Sequence, residues 1–180
     1  MRARFLLLIL FFYAFLFSCE SRGWTEDIQN RVNVYNRNAR ELANYTLESG
    51  STVIFVTEYA EQDGLKKTLA RHFQEETLNF ERHIFTENNE IVYTQNIGVA
   101  PQLRDFKAHE FLMFNEQTFW KSKGVGLKLN QHVPTDDIVV KEAALELLHG
   151  AQVTERELSA TDYDKIYKYL DELVSSKPKK

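Results

Sequence analysis

The chain has few of the residues that staple, break or span. Its 180 residues include one cysteine, three prolines and seven glycines. A single cysteine excludes an internal disulfide and any cysteine-rich metal site. Glycine and proline are too sparse for a collagen-like or low-complexity chain. Positive charge is also short, with 22 Lys and Arg against 26 Asp and Glu, a net charge of −4. A general nucleic-acid binder would need a basic face, so no nucleic-acid partner is expected. Nor is there a long apolar run. Phe5 to Phe17 is uninterrupted for 13 residues, about 20 Å as a helix at roughly 1.5 Å per residue. Crossing a bilayer core takes about 20 apolar residues.

What the chain does have is concentrated at its start. Arg2 and Arg4 precede the apolar run, and a short greasy core behind a basic end reads as a signal peptide over residues 1–18. A buried core helix is the competing reading, but nothing polar interrupts the run to define a wet face. Directly after it, Leu16-Phe17-Ser18-Cys19 resembles the lipobox of bacterial lipoproteins: an aliphatic residue, a variable one, a small one, then cysteine. The only thiol stands where that machinery requires one, although Phe17 is bulkier than the usual residue there. The resemblance covers residues 1–19 and implies a chain cut before Cys19 and acylated on it. The expected location is then a bacterial membrane, lipid-anchored, with the domain facing the periplasm or the cell exterior. Two or three acyl chains hold a protein on a bilayer where one holds it marginally. An ordinary secretory signal with an incidental cysteine is the alternative. The mature chain would carry 162 residues, with 20 basic against 26 acidic side chains.

Residues 19–23 form a short tether, and 24–174 read as one α+β domain. Ile28, Val32, Tyr35, Ala39 and Leu42 recur at spacings of 4, 3, 4 and 3, which predicts a helix from a Thr25 cap to a Gly50 stop. Thr52 to Tyr59 is β-branched and aromatic, hence a strand. Asp63-Gly64 is a turn signal. Over 65–76, alternation favours a strand and composition a helix, and the preceding turn tips the choice to strand. Arg82–Tyr93 and His109–Trp120 each read strand, polar turn, strand. Ile97–Phe106, containing Pro101, reads as a loop between these hairpins. Two helices are expected after Pro134: one with Ile138, Leu145 and Leu148 ending at Gly150, and one opened by a Thr161–Asp164 capping box with Tyr163, Ile166, Leu170 and Leu173 inward. Residues 175–180 are expected as a disordered basic tail. The fold expected is an N-terminal helix, an antiparallel meander of five to seven strands and two C-terminal helices, with helices over the apolar face. At the level of pattern, aromatic strands around short Asn/Asp/Gly turns resemble uncharacterised meander-forming bacterial lipoproteins.

Chemistry is harder to find. Dinucleotide, P-loop, zincin and nucleophile-elbow motifs are absent, and no cofactor is called for. Lys123-Gly124-Val125-Gly126 reads as a bend rather than a phosphate loop. An envelope hydrolase or metal-dependent enzyme would have to use His72, His109 or His132 with nearby carboxylates such as Glu76, Asp136 and Asp137. A binding module would use Tyr93, Phe111, Phe114, Phe119 and Trp120 as the lining of an apolar groove, unless these simply fill the core. The expected partners are the membrane, through the lipid, and an envelope protein or small ligand. A small structural or immunity-type protein shares all of these features.

Overall fold

The computed structural model describes residues 23–74, 77–101, 111–135, 146 and 148–178. The chain divides into two compact units that meet between Asn38 and Ala39. The first is described through helix α1, residues 23–38. Its buried positions are Val32 and Tyr35, with Ile28 half-buried one turn earlier, so the 4-then-3 spacing marks a real helix face. Thr25 lies inside this helix rather than at its cap.

The helix stops at Asn38, short of both the last stripe residue, Leu42, and the expected Gly50 stop. Asn38 turns its side-chain amide back onto the Val34 carbonyl, 3.4 Å away, and Glu41–Ser49 is the first strand, β1. Ala43, Tyr45 and Leu47 alternate there with exposed neighbours, a period of two that the 3.6 reading obscured. Leu42, counted as inward on a helix, is 68% exposed. Gly50 still ends the element, but with φ of 61° in a hairpin whose register pairs Ser49 with Thr52.

The second unit is an antiparallel sheet in strict meander order, β1 to β8. The remaining strands are β2 Thr52–Tyr59, β3 Leu65–Gln74, β4 Thr77–Glu87, β5 Glu90–Pro101, β6 Phe111–Ser122, β7 Val125–Thr135 and β8 Thr154–Leu158. The described residues therefore hold eight strands, more than the five to seven expected. Turn chemistry explains the hairpins. Asp63 and Gly64 (φ 50° and 79°) and Asn88 and Asn89 (51° and 65°) adopt the left-handed pairs of two-residue loops.

Two expectations are corrected here. His109–Trp120 is not a second hairpin: from Phe111 onward it is one continuous strand. Asn115, Glu116 and Gln117 pair with Ile97, Asn96 and Gln95 on one side and Gln131, Asn130 and Leu129 on the other. Residues 97–101 are strand rather than loop, because each finds a partner from Asn115 to Phe111 on β6. Strand β7 runs through Pro134 to Thr135, and the expected start of the following helix at Asp136 lies outside the described residues. Of the helix expected beyond it, Ile138 and Leu145 lie outside the described residues, while Leu148 is buried against Met113 and Val133.

One C-terminal helix is described in full, α2, Ala160–Ser175. Its cap is Ser159, which exchanges hydrogen bonds with Asp162 in a capping box two residues before the expected Thr161–Asp164 pair. Helix α2 crosses one face of the sheet. Near its start, Tyr163 packs with Trp120, Ile84, Ile91 and Leu158. Near its end, Leu173 packs with Val56 and Ala70. Tyr45 donates to the Leu173 carbonyl and Lys177 pairs with Glu58, which ties the helix end to β1 and β2. Gly126 allows this packing. A Cβ there would stand 2.6 Å from the Trp120 ring, so only glycine lets the indole lie on β7.

Candidate binding face

Alternation gives each strand one set of side chains toward α2 and one set away from it. The aromatics expected to line a single groove are divided between these sets. Tyr93 and Phe119 lie together on the face away from α2, 5.0 Å apart between ring centroids, with Phe85 beyond Tyr93 at 5.7 Å. Phe111 is half-buried on that same set. Trp120 lies on the α2 side, edge-on to Tyr163 at 5.1 Å, and Phe114 is half-buried on the same side as Trp120. Cys19, His109, Glu76, Asp136 and Asp137 lie outside the described residues.

The face away from α2 holds a buried polar network. Glu81 accepts from Arg71 Nε at 3.0 Å and meets His83 Nε2 at 3.3 Å. Across β5, β6 and β7, Gln95 donates to Asn115 at 3.0 Å, Asn115 to Gln131 at 3.2 Å, and Gln131 to the Leu148 carbonyl at 3.2 Å. Lys67, also buried, sits over the Tyr59 and Phe85 rings. Buried polar groups need partners, and this network supplies them.

On the α2 side the face has two parts. Under the helix it is apolar. Beside the helix, a charged rung runs across four strands. Arg82 donates through Nε to Asn96 Oδ1 at 2.8 Å. Asn96 donates to Glu116 Oε2 at 3.3 Å, and Lys128 donates to Glu116 Oε1 at 2.8 Å. The register makes the rung possible, since Arg82 pairs with Asn96 and Asn96 with Glu116. Glu116 is pushed up by burial, yet its net shift is downward, because the hydrogen bonds from Lys128 and Asn96 and the Lys128 charge favour the carboxylate.

At the helix edge of the rung, Tyr169 links helix and sheet. Its hydroxyl is 2.6 Å from His72 Nε2, and the Arg82 guanidinium lies 4.4 Å from its ring centroid. His72 stacks on Phe80 at 4.1 Å. Burial, aided by the Arg82 charge, lowers the His72 pKa to about 4. Burial raises Tyr169 to about 12 against the opposing Arg82 charge. Both groups are therefore neutral at pH 7, poorly matched to proton transfer there. His132 is exposed on β7. Among the described residues, no group of three His, Cys, Asp or Glu side chains could hold a metal ion.

A groove of about 610 Å³ opens on the other flank of α2. Leu42, Tyr167 and Val174 line it with Leu170, under a rim that includes Glu58, Lys66 and Asp171. Leu42, Tyr167 and Val174 are 68%, 45% and 47% exposed, which gathers several exposed large apolar side chains at one place. The sequence reading missed this groove and the rung. Arg82, Asn96, Glu116 and Lys128 are 14, 20 and 12 residues apart along the chain, and only strand register brings them together. No family model, curated protein or solved structure matches the chain.

Proposed function

We propose that the protein is a membrane-anchored lipoprotein of the bacterial cell envelope whose sheet domain acts by binding, not by catalysis. The observation that carries the anchor is Leu16-Phe17-Ser18-Cys19, with the only cysteine of the chain at its end. Binding is supported by the groove of exposed apolar side chains beside α2, since concave apolar surface with a few polar groups is what ligand sites use. Titrating groups on the same side also favour binding: His72 and Tyr169 are held in their neutral forms by burial. The partner class is an envelope protein or small ligand, met at the membrane surface.

Cys19→Ala is the direct test. The variant is expected to remain unlipidated and to move from membrane to soluble fractions, because the apolar run alone is too short to span. Unchanged membrane fractionation together with unchanged incorporation of labelled fatty acid would refute the anchor. Groove function is read separately, by crosslinking in native membranes with and without Leu42→Glu. Loss of a stoichiometric crosslinked species in the variant is expected, and the same crosslinks in both proteins would refute a role for the groove.

A further inference from the structure

The charged rung beside α2 is unbalanced. Glu116 has both oxygens committed, one to Lys128 and one to Asn96. Among the described residues, no carboxylate lies within ion-pair distance of Arg82; its polar contact is the single Nε–H donated to Asn96. Its other neighbours are rings, Tyr169 at 4.4 Å and Phe80 at 5.7 Å. His72 and Tyr169 contribute no charge at neutral pH. The rung therefore carries one positive charge more than negative, on a half-buried guanidinium whose terminal N–H groups meet no acid among the described residues.

Glu116 acts on Arg82 only through space. A partly desolvated cation with no carboxylate bonded to it is costly, and a guanidinium fork is shaped for bidentate oxygen acceptors. We propose that Arg82 is the anchor of a carboxylate-binding site on the uncovered part of the helix-side face, taking a small monoanionic carboxylate ligand. The charge count selects the monoanion. One carboxylate neutralises the rung, whereas a phosphate dianion reverses its sign. Tyr169 and Phe80 act as positioning residues that hold the guanidinium plane, and Asn96 fixes its rotation through Nε. His72, hydrogen-bonded to Tyr169 and stacked on Phe80, braces both rings.

The inference rests on the binding reading above but is tested apart from it, since it concerns Arg82 and not Cys19 or Leu42. The full chain in detergent is melted against increasing sodium acetate, with sodium chloride of equal ionic strength as the reference. A ligand that binds only the folded state raises Tm in step with ln(1 + [L]/Kd). Acetate is expected to raise it over chloride, with Arg82→Met abolishing the rise and Arg82→Lys weakening apparent affinity several-fold. Absence of an acetate-specific rise in the wild type would overturn the site, as would a rise that survives Arg82→Met. If Arg82→Met does not melt cooperatively, Arg82→Lys decides, and affinity equal to wild type refutes the fork. Phosphate raising Tm at lower concentration than acetate would overturn the monoanion assignment.

Discussion

The two parts of the helix-side face are built by the same strands yet differ in chemistry. Ala70 and His72 are two residues apart on β3, and Ile84 and Arg82 two apart on β4. One of each pair packs in the apolar clusters under α2, and the other belongs to the polar set beside it. Strand alternation thus decides which face a side chain takes, and helix coverage decides what chemistry that position tolerates. Where α2 lies on the sheet, shape and apolar area dominate. Where it does not, polar side chains bond to one another across strands, and Arg82, Asn96 and Glu116 stay half-open to water.

Trp120→Ala should break the covered part most severely. The indole is 2% exposed and packed on Tyr163, so truncation should cost about 3–5 kcal/mol. Asn96→Ala, in the open part, should cost about 1 kcal/mol, because water replaces its bonds to Arg82 and Glu116. Chemical denaturation would show a large fall in midpoint for the first and a small one for the second. Equal falls would mean that the two parts of the face are not energetically distinct.

Acidification should act through the boundary between the two parts. His72 is 8% exposed and its pKa is lowered to about 4 from an ordinary 6.5. A histidine whose folded pKa is depressed binds its proton more readily when unfolded. Its contribution is present above pH 6.5 and declines as pH falls toward 4, at about 1.4 kcal/mol per pH unit. Asp162, lowered to about 2 chiefly by the Ser159 backbone N–H, loses its contribution only below its ordinary value of 3.8. Glu116, also lowered, responds below 4.5. Between pH 6.5 and 4.5 the wild type should therefore lose about 2 kcal/mol, and His72→Gln, though less stable at pH 7, should show a flatter slope. Parallel pH profiles for the two proteins would remove His72 as the cause.

Much of this architecture is legible in the sequence, for reasons that are local. Thr52–Tyr59 declares itself by β-branched and aromatic residues, and Asp63-Gly64 and Asn88-Asn89 by their tolerance of positive φ. Val32 and Tyr35 reveal α1 by spacing. The failures have local causes too. Ala39 and Leu42 happened to continue the helical spacing into β1, and Asn115-Glu116-Gln117 has turn-like composition while lying inside a strand. In that strand Asn115 is 7% exposed and bonded to Gln95 and Gln131. Polar residues at inward strand positions look like loops until their partners are known. The charged rung was illegible for the same reason: it is a property of register, and register depends on several strands at once.

The smallest predicted effect discriminates between two capping assignments separated by two residues. Both Ser159/Asp162 and Thr161/Asp164 satisfy the capping-box spacing. In the structure Ser159 has extended backbone angles, its hydroxyl oxygen accepts from the Asp162 N–H at 3.4 Å, and Asp162 Oδ2 accepts from the Ser159 N–H at 3.0 Å. Thr161 is already helical and exposed. Ser159→Ala should therefore cost about 1 kcal/mol, while Thr161→Ala should be near neutral or slightly favourable, because alanine is the better helix former. The position of the cap matters beyond its energy. Starting the helix at Ala160 sets Tyr163 over Trp120 and Leu173 over Val56 and Ala70, which fixes where the covered part of the face ends. Equal effects of the two substitutions on the denaturation midpoint would mean that packing alone sets the helix start, and that the boundary between the two parts of the sheet is free to slide.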